Sequence, residues 1–98
     1  MNIEISAQGF SLPDTAQHYL KENLTWSFYP AREKLKKVHL KLSKDAATSD
    51  QDLAKCELQA VMDGVPSVIS EVYAINPHIA ANKAISHAKK TAMDRINE

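Results

Sequence analysis

Ninety-eight residues, 44% hydrophobic and 24% charged, make one domain large enough for a modest core and too small for two. Twelve basic residues balance twelve acidic ones, no apolar run approaches the ~20 residues that span a bilayer, and Met1-Asn2-Ile3-Glu4-Ile5 lacks the basic and apolar regions of a secretory signal. Cys56 is the sole cysteine, which excludes an intramolecular disulfide and a cysteine-based metal site and suits a reducing cytoplasm.

Ile3 and Ile5 alternate with Asn2 and Glu4, the period of a short strand with one buried face. A turn through Gln8, Gly9 and Ser11 leads to Pro13-Asp14, a helix start with Asp14 near the positive end of the dipole. Ala16, Leu20, Leu24 and Phe28 then recur every four residues with Tyr19 beside them, one apolar stripe that Pro30 ends. Val38, Leu40 and Leu42 alternate with His39 and Lys41 in a second strand, and Lys44 to Asp52 reads as an exposed connection.

Ala54, Cys56, Leu58, Ala60 and Met62 alternate with Lys55, Glu57 and Gln59 in a third strand. Asp63-Gly64 predicts a tight primed hairpin turn into a fourth strand over about Ser67 to Ala74. There Val68 and Val72 point one way and Ile69 and Tyr73 the other, so both faces are expected to be partly covered. Asn76-Pro77 opens the last helix, with Ala81, Ala84, Ile85, Ala88, Ala92 and Ile96 on its inner side. The order β-α-β-β-β-α predicts an α+β fold: an antiparallel-rich, four-stranded sheet with two helices on one face.

Neutral in total, the chain is sorted in charge. Arg32, Lys34, Lys36, Lys37, Lys41 and Lys44 share one stretch with Glu33 as its only acid, and Lys83, Lys89, Lys90 and Arg95 return on the last helix. Between them lie Asp45, Asp50, Asp52, Glu57, Asp63 and Glu71 against Lys55 alone. Lys83, His87 and Lys90 fall on the outer side of the last helix at helical spacing. Like charges so placed repel by a few tenths of a kcal/mol, which a phosphate backbone would turn into attraction. The plain alternative is a solvated helix face, and for the strand lysines a solubility device. Whether the two basic segments meet on one surface depends on the fold.

Tyr19, Trp26, Phe28 and Tyr29 cluster on or just after the first helix. Stacking on unpaired bases needs some of them exposed; packing in the core and at its edge is the favoured reading. Catalysis finds little support. His18, His39, His78 and His87 are scattered, Gly9 and Gly64 are the only glycines, and Cys56 sits on the apolar side of a strand. No catalytic residue, metal ligand, cofactor or small-molecule substrate is expected.

Several segments, in their order and spacing, resemble the ribosome hibernation promoting factor family, which includes ribosome-associated inhibitors and sigma-factor modulation proteins. They are Met1-Asn2-Ile3-Glu4-Ile5-Ser6, Leu12-Pro13-Asp14-Thr15-Ala16-Gln17-His18-Tyr19-Leu20, Val38-His39-Leu40-Lys41-Leu42, Cys56-Glu57-Leu58-Gln59-Ala60 and His78-Ile79-Ala80-Ala81-Asn82-Lys83-Ala84-Ile85. The resemblance covers essentially the whole chain. It implies a fold like a double-stranded RNA-binding domain, docked in the messenger and transfer RNA channel of the small ribosomal subunit. There it would contact ribosomal RNA and block translation sterically in resting cells.

The RNA-contacting positions so implied are Lys36, Lys37, Lys41, Lys83, His87, Lys89 and Lys90, with residues 1–98 as one ribosome-binding domain in its short form. His87 stands where the family usually has lysine and Lys90 where it has arginine. Leu24-Thr25-Trp26-Ser27-Phe28 replaces a lysine-bearing helix end, Asn76-Pro77-His78 replaces an Asp-Met-Tyr entry, and Asp94 interrupts the basic tail. The expected protein is cytoplasmic and non-enzymatic, with its oligomeric state open and a monomer favoured. Its rivals are a protein-interaction module of the same fold, including a homodimer through an exposed sheet face, and a small enzyme using His18 or His39.

Overall fold

The structure is a computed structural model that describes residues 2–9, 11–45 and 53–97. Its elements are β1 (Asn2–Gln8), α1 (Asp14–Ser27), a 3-10 turn (Tyr29–Ala31), β2 (Leu35–Asp45), β3 (Leu53–Met62), β4 (Val68–Ala74) and α2 (Pro77–Ile96). The four strands lie in chain order in one mixed sheet. β1 pairs parallel with β2, while β2–β3 and β3–β4 are antiparallel. The expected α+β order is therefore the observed one. Of the connection expected over Lys44 to Asp52, Lys44 belongs to β2 and residues 46–52 lie outside the described residues.

The register stacks the alternating side chains into rows. Ile5, Leu40, Leu58 and Ser70 form one row across the sheet, and Ile3, Val38, Ala60 and Val68 the next. These inward rows meet Leu20, Leu24 and Phe28 from α1 and Ala80, Ala81, Ala84, Ile85, Ala88 and Ala92 from α2, all buried in one core. Both helices thus cover the same face of the sheet. Because β1, α1 and β2 form a parallel crossover and α2 follows β4, the two helices also run in the same direction. Tyr19 packs its ring 5.2 Å from that of His78, and Asn23 Nδ2 donates to Asn82 Oδ1 at 3.1 Å, four residues further on in each helix.

Local chemistry explains the boundaries. Asn76 caps α2, its side-chain oxygen accepting the His78 N–H at 2.7 Å, with Pro77 at the first helical position. α1 gives way at Phe28 to the 3-10 turn that contains Pro30. β2 starts earlier than alternation alone suggests, because a bulge between Leu35 and Lys37 inserts one residue. Leu35 and Val38 are therefore both buried, while Lys36 and Lys37 between them both reach solvent.

Two expectations are corrected. The β3–β4 hairpin forms, but through five residues (63–67), with Gly64 alone at positive φ. Pro66 has no N–H for the ladder, so the strands cannot close to a two-residue turn. Arg95 Nη1 instead ties this loop to α2 by donating to the carbonyls of Pro66, at 2.9 Å, and Ser67, at 2.5 Å. In β4 only one face is covered: Val68 and Ser70 are buried, whereas Ile69 is 73% exposed and Tyr73 47%.

The alanines of α2 let its backbone approach β3 and β4 closely, so added volume there has no room. Ala84→Leu should destabilise the fold by about 1–3 kcal/mol in urea unfolding, while Ser86→Ala on the exposed side should not shift the midpoint. Cys56 is fully buried on β3, and burial pushes its thiol up to about 12 from 9.0. It should resist alkylation in the native state at neutral pH and react only in denaturant. In the unfolded chain the thiol ionises first as pH rises, so its contribution to stability should fall between 9.0 and about 12. Comparison of Cys56→Ala with the parent by alkaline denaturation isolates that loss.

Candidate nucleic-acid interface

The two basic segments do not meet. Lys37, His39 and Lys41 alternate with the buried residues of β2, which places them on the open face of the sheet. Lys83, His87, Lys89 and Lys90 are exposed on α2, which lies against the other face. One sheet thickness and one helix layer separate the two groups.

On the open face, register places acids next to the bases. Ser6, Lys41, Glu57 and Glu71 form one row, and Glu4, His39, Gln59 and Ile69 another. Lys37 Nζ lies 3.3 Å from Glu4, and Lys55 Nζ 2.7 Å from Glu57 and 3.8 Å from Glu71. The hydrogen bond from Lys55 holds the Glu57 carboxyl below its ordinary range and raises the Lys55 ammonium. Tyr73 donates its hydroxyl to Glu71 at 3.0 Å, which raises the phenol. Lys36, at the bulge, lies 3.5 Å from Asp63 of the β3–β4 loop. Exposed pairs of this kind add little to stability, but they leave this face a nearly neutral mosaic.

α2 differs. Among the described residues no acid pairs with Lys83, Lys89 or Lys90. Lys83 and Lys90 are seven residues apart, two turns or about 10 Å along the axis, with His87 between them. Arg95 does not join this set, because the β3–β4 loop carbonyls engage its guanidinium. α1 adds a mixed outer surface, where His18 Nε2 lies 3.2 Å from Glu22.

The aromatics depart from the packing expected of them. Phe28 alone enters the core. Trp26 is 70% exposed and Tyr29 47%, their ring centroids 5.8 Å apart at an interplanar angle of 43°. The Arg32 guanidinium lies 3.9 Å above the Tyr29 ring and donates to the Tyr29 carbonyl at 2.9 Å. One signal in the sequence pointed this way: Trp26 falls outside the four-residue series of Leu20, Leu24 and Phe28.

The histidines considered for catalysis lie apart. His39 Nε2 is 3.1 Å from Ser6 Oγ, a nucleophile–base contact in form. It sits on the open face of the sheet, between the edge strand β1 and β2. Among the described residues no group of three His, Cys, Asp or Glu could hold a metal ion, and no helix is long and apolar enough to cross a membrane.

No protein-family model matches the sequence, and no curated protein matches it. Solved structures do match the fold. A ribosomal subunit interface protein from Coxiella burnetii superposes with a TM-score of 0.79 at 10% identity, covering 100% of both chains. The N-terminal domain of Thermus thermophilus Protein Y superposes with a TM-score of 0.74 at 17% identity, over 94% of this chain and 96% of that one. The chain thus shares, over essentially its whole length, the β-α-β-β-β-α fold of a ribosomal subunit interface protein and of the Protein Y N-terminal domain.

Proposed function

We propose that this chain is a non-enzymatic ribosome-binding factor that occupies the messenger and transfer RNA channel of the small ribosomal subunit and silences it by occlusion. The observation that carries this reading is the outer face of α2, whose Lys83, Lys89 and Lys90 are exposed without acidic partners on the fold of a ribosomal subunit interface protein. Unpaired cations at helical spacing bind a phosphate backbone through counterion release. Such contacts do not read sequence, so selectivity comes from the shape of the channel. Residues 1–98 act as one monomeric, cytoplasmic unit with ribosomal RNA as the ligand.

Within this reading Lys83, His87, Lys89 and Lys90 form the primary contact. Lys36, Lys37 and Lys41 act from the other side, where a channel that surrounds the domain reaches them, and their acidic neighbours weaken each contribution. A second reading has its own support: the uncovered sheet face with exposed Ile69 and Tyr73 suits a protein partner.

Co-sedimentation with small subunits across a salt series separates the two. The RNA reading expects affinity to fall steeply with salt, and Lys83→Glu with Lys90→Glu to weaken binding more than about tenfold and flatten the slope by about two phosphate contacts. Lys37→Glu with Lys41→Glu should cost less. Salt-insensitive pelleting, abolished by Ile69→Asp and untouched by the α2 variants, would establish the protein-partner reading instead.

A further inference from the structure

Trp26 is the only tryptophan of the chain and is left 70% in solvent, beside a tyrosine whose ring is held from one side by an arginine. Nothing in the packing requires this arrangement. The ring is too exposed to serve the core, and Phe28, two residues on, fills the α1 end of the core instead. What the three side chains do share is π surface next to positive charge. The Trp26 and Tyr29 rings are tilted by 43°, so they stand at an angle and leave ring faces open.

The position of this group relative to α2 gives it a partner chemistry. Tyr19 meets His78 and Asn23 meets Asn82, a constant offset along two helices that run the same way. Two turns beyond Asn82, on the same side of α2, stands Lys89. The 3-10 turn that carries Tyr29 packs against α2, and the same offset continued past the end of α1 sets this turn level with Lys89 and Lys90. By this offset the two rings stand at the same level as the unpaired cations of the surface proposed above for phosphate.

We propose that Trp26 and Tyr29 form a stacking platform for an unpaired RNA base, with Arg32 fixing the Tyr29 ring and Lys89 and Lys90 taking the flanking phosphates. The platform deepens the RNA reading above: it gives a site otherwise limited to backbone contacts a preference for single-stranded over paired RNA. Base–aromatic stacking tolerates any base, because each has a π face. A duplex buries those faces in its own stack and offers none to the platform.

Trp26 is its own reporter. The test titrates the full chain at low salt with a short single-stranded oligoribonucleotide, an abasic strand of equal length, and a duplex, reading tryptophan emission and affinity together. The expected result is quenching and tighter binding with the single strand only. Trp26→Ala should weaken single-strand affinity about 5- to 100-fold, and Trp26→Phe should recover most of it. The unfolding midpoint of both should match the parent, since the ring is mostly in solvent. Equal affinity for the abasic strand with unchanged emission overturns the proposal, as does parental RNA affinity in Trp26→Ala.

The ribosome reading fails separately. If the single strand quenches Trp26 but the chain does not pellet with small subunits, the platform stands and the channel assignment falls. If subunits pellet and no strand quenches, the reverse holds. Loss of pelleting in Trp26→Ala with no RNA response would mean that the rings meet a protein, which also overturns the platform.

Discussion

The constraint on which the molecule depends is the closeness of α2 to the sheet. Five alanines, Ala80, Ala81, Ala84, Ala88 and Ala92, are fully shielded on its inner side, with Ile85 the one large residue among them. The bulk of the core comes from elsewhere: Leu40, Leu42, Leu58 and Val68 from the strands, Leu24 and Phe28 from α1. A helix that sits low on β3 and β4 leaves width for α1 beside it over β1, and both then fit on a sheet of four strands. Among the described residues nothing covers the other face, and the outward side chains from Lys37 to Ser43, Lys55 to Val61 and Ile69 to Tyr73 remain accessible.

That asymmetry decides what each charge can do. On the open face the strand register pairs Lys41 with Glu57 and sets Glu71 beyond it, so bases and acids are neighbours by construction. On α2 the inward positions are alanine and isoleucine, and the outward ones carry lysines with Asp94 as the only acid. Chain segments that look equally basic thus acquire different character from their surroundings. The charge sorting legible in the sequence is thus partly undone by the fold: the basic segment of β2 lies among acids on the open face, and only α2 keeps a basic surface.

Alternation made the sheet legible. Val38, Leu40 and Leu42, then Ala54 to Met62, show a period of two because only one face is buried, and the helices show theirs for the same reason. Where a residue is inserted or a donor is missing, the pattern fails. The bulge at Lys36 hides the true start of β2, and Pro66 lengthens a hairpin that Asp63-Gly64 alone would make tight. Ile69 reads as buried by composition, yet among the described residues no element covers its side of the sheet. The candidate site was legible as a set of residues but not as a surface. Which of its lysines already have acidic neighbours depends on cross-strand register, which a single chain does not display.

The parallel course of the two helices also limits how far structural need explains the cations. Aligned helices point both negative dipole ends the same way, that of α1 at the 3-10 turn and that of α2 further along at its last turn, and cations beside either end are favourable for the fold alone. Arg95 answers that need: it lies in the last turn and is anchored to the β3–β4 loop. The influence of α2's own dipole fades within about one turn, so that dipole gives no reason for Lys83 in the second turn of α2, for His87, or for Lys90 more than a turn from its end. Nor does an ion pair, since none is present among the described residues, or packing, since all three are exposed. Their mutual repulsion is a small cost retained at helical spacing. A polyanion lying across α2 is the simplest partner that removes it.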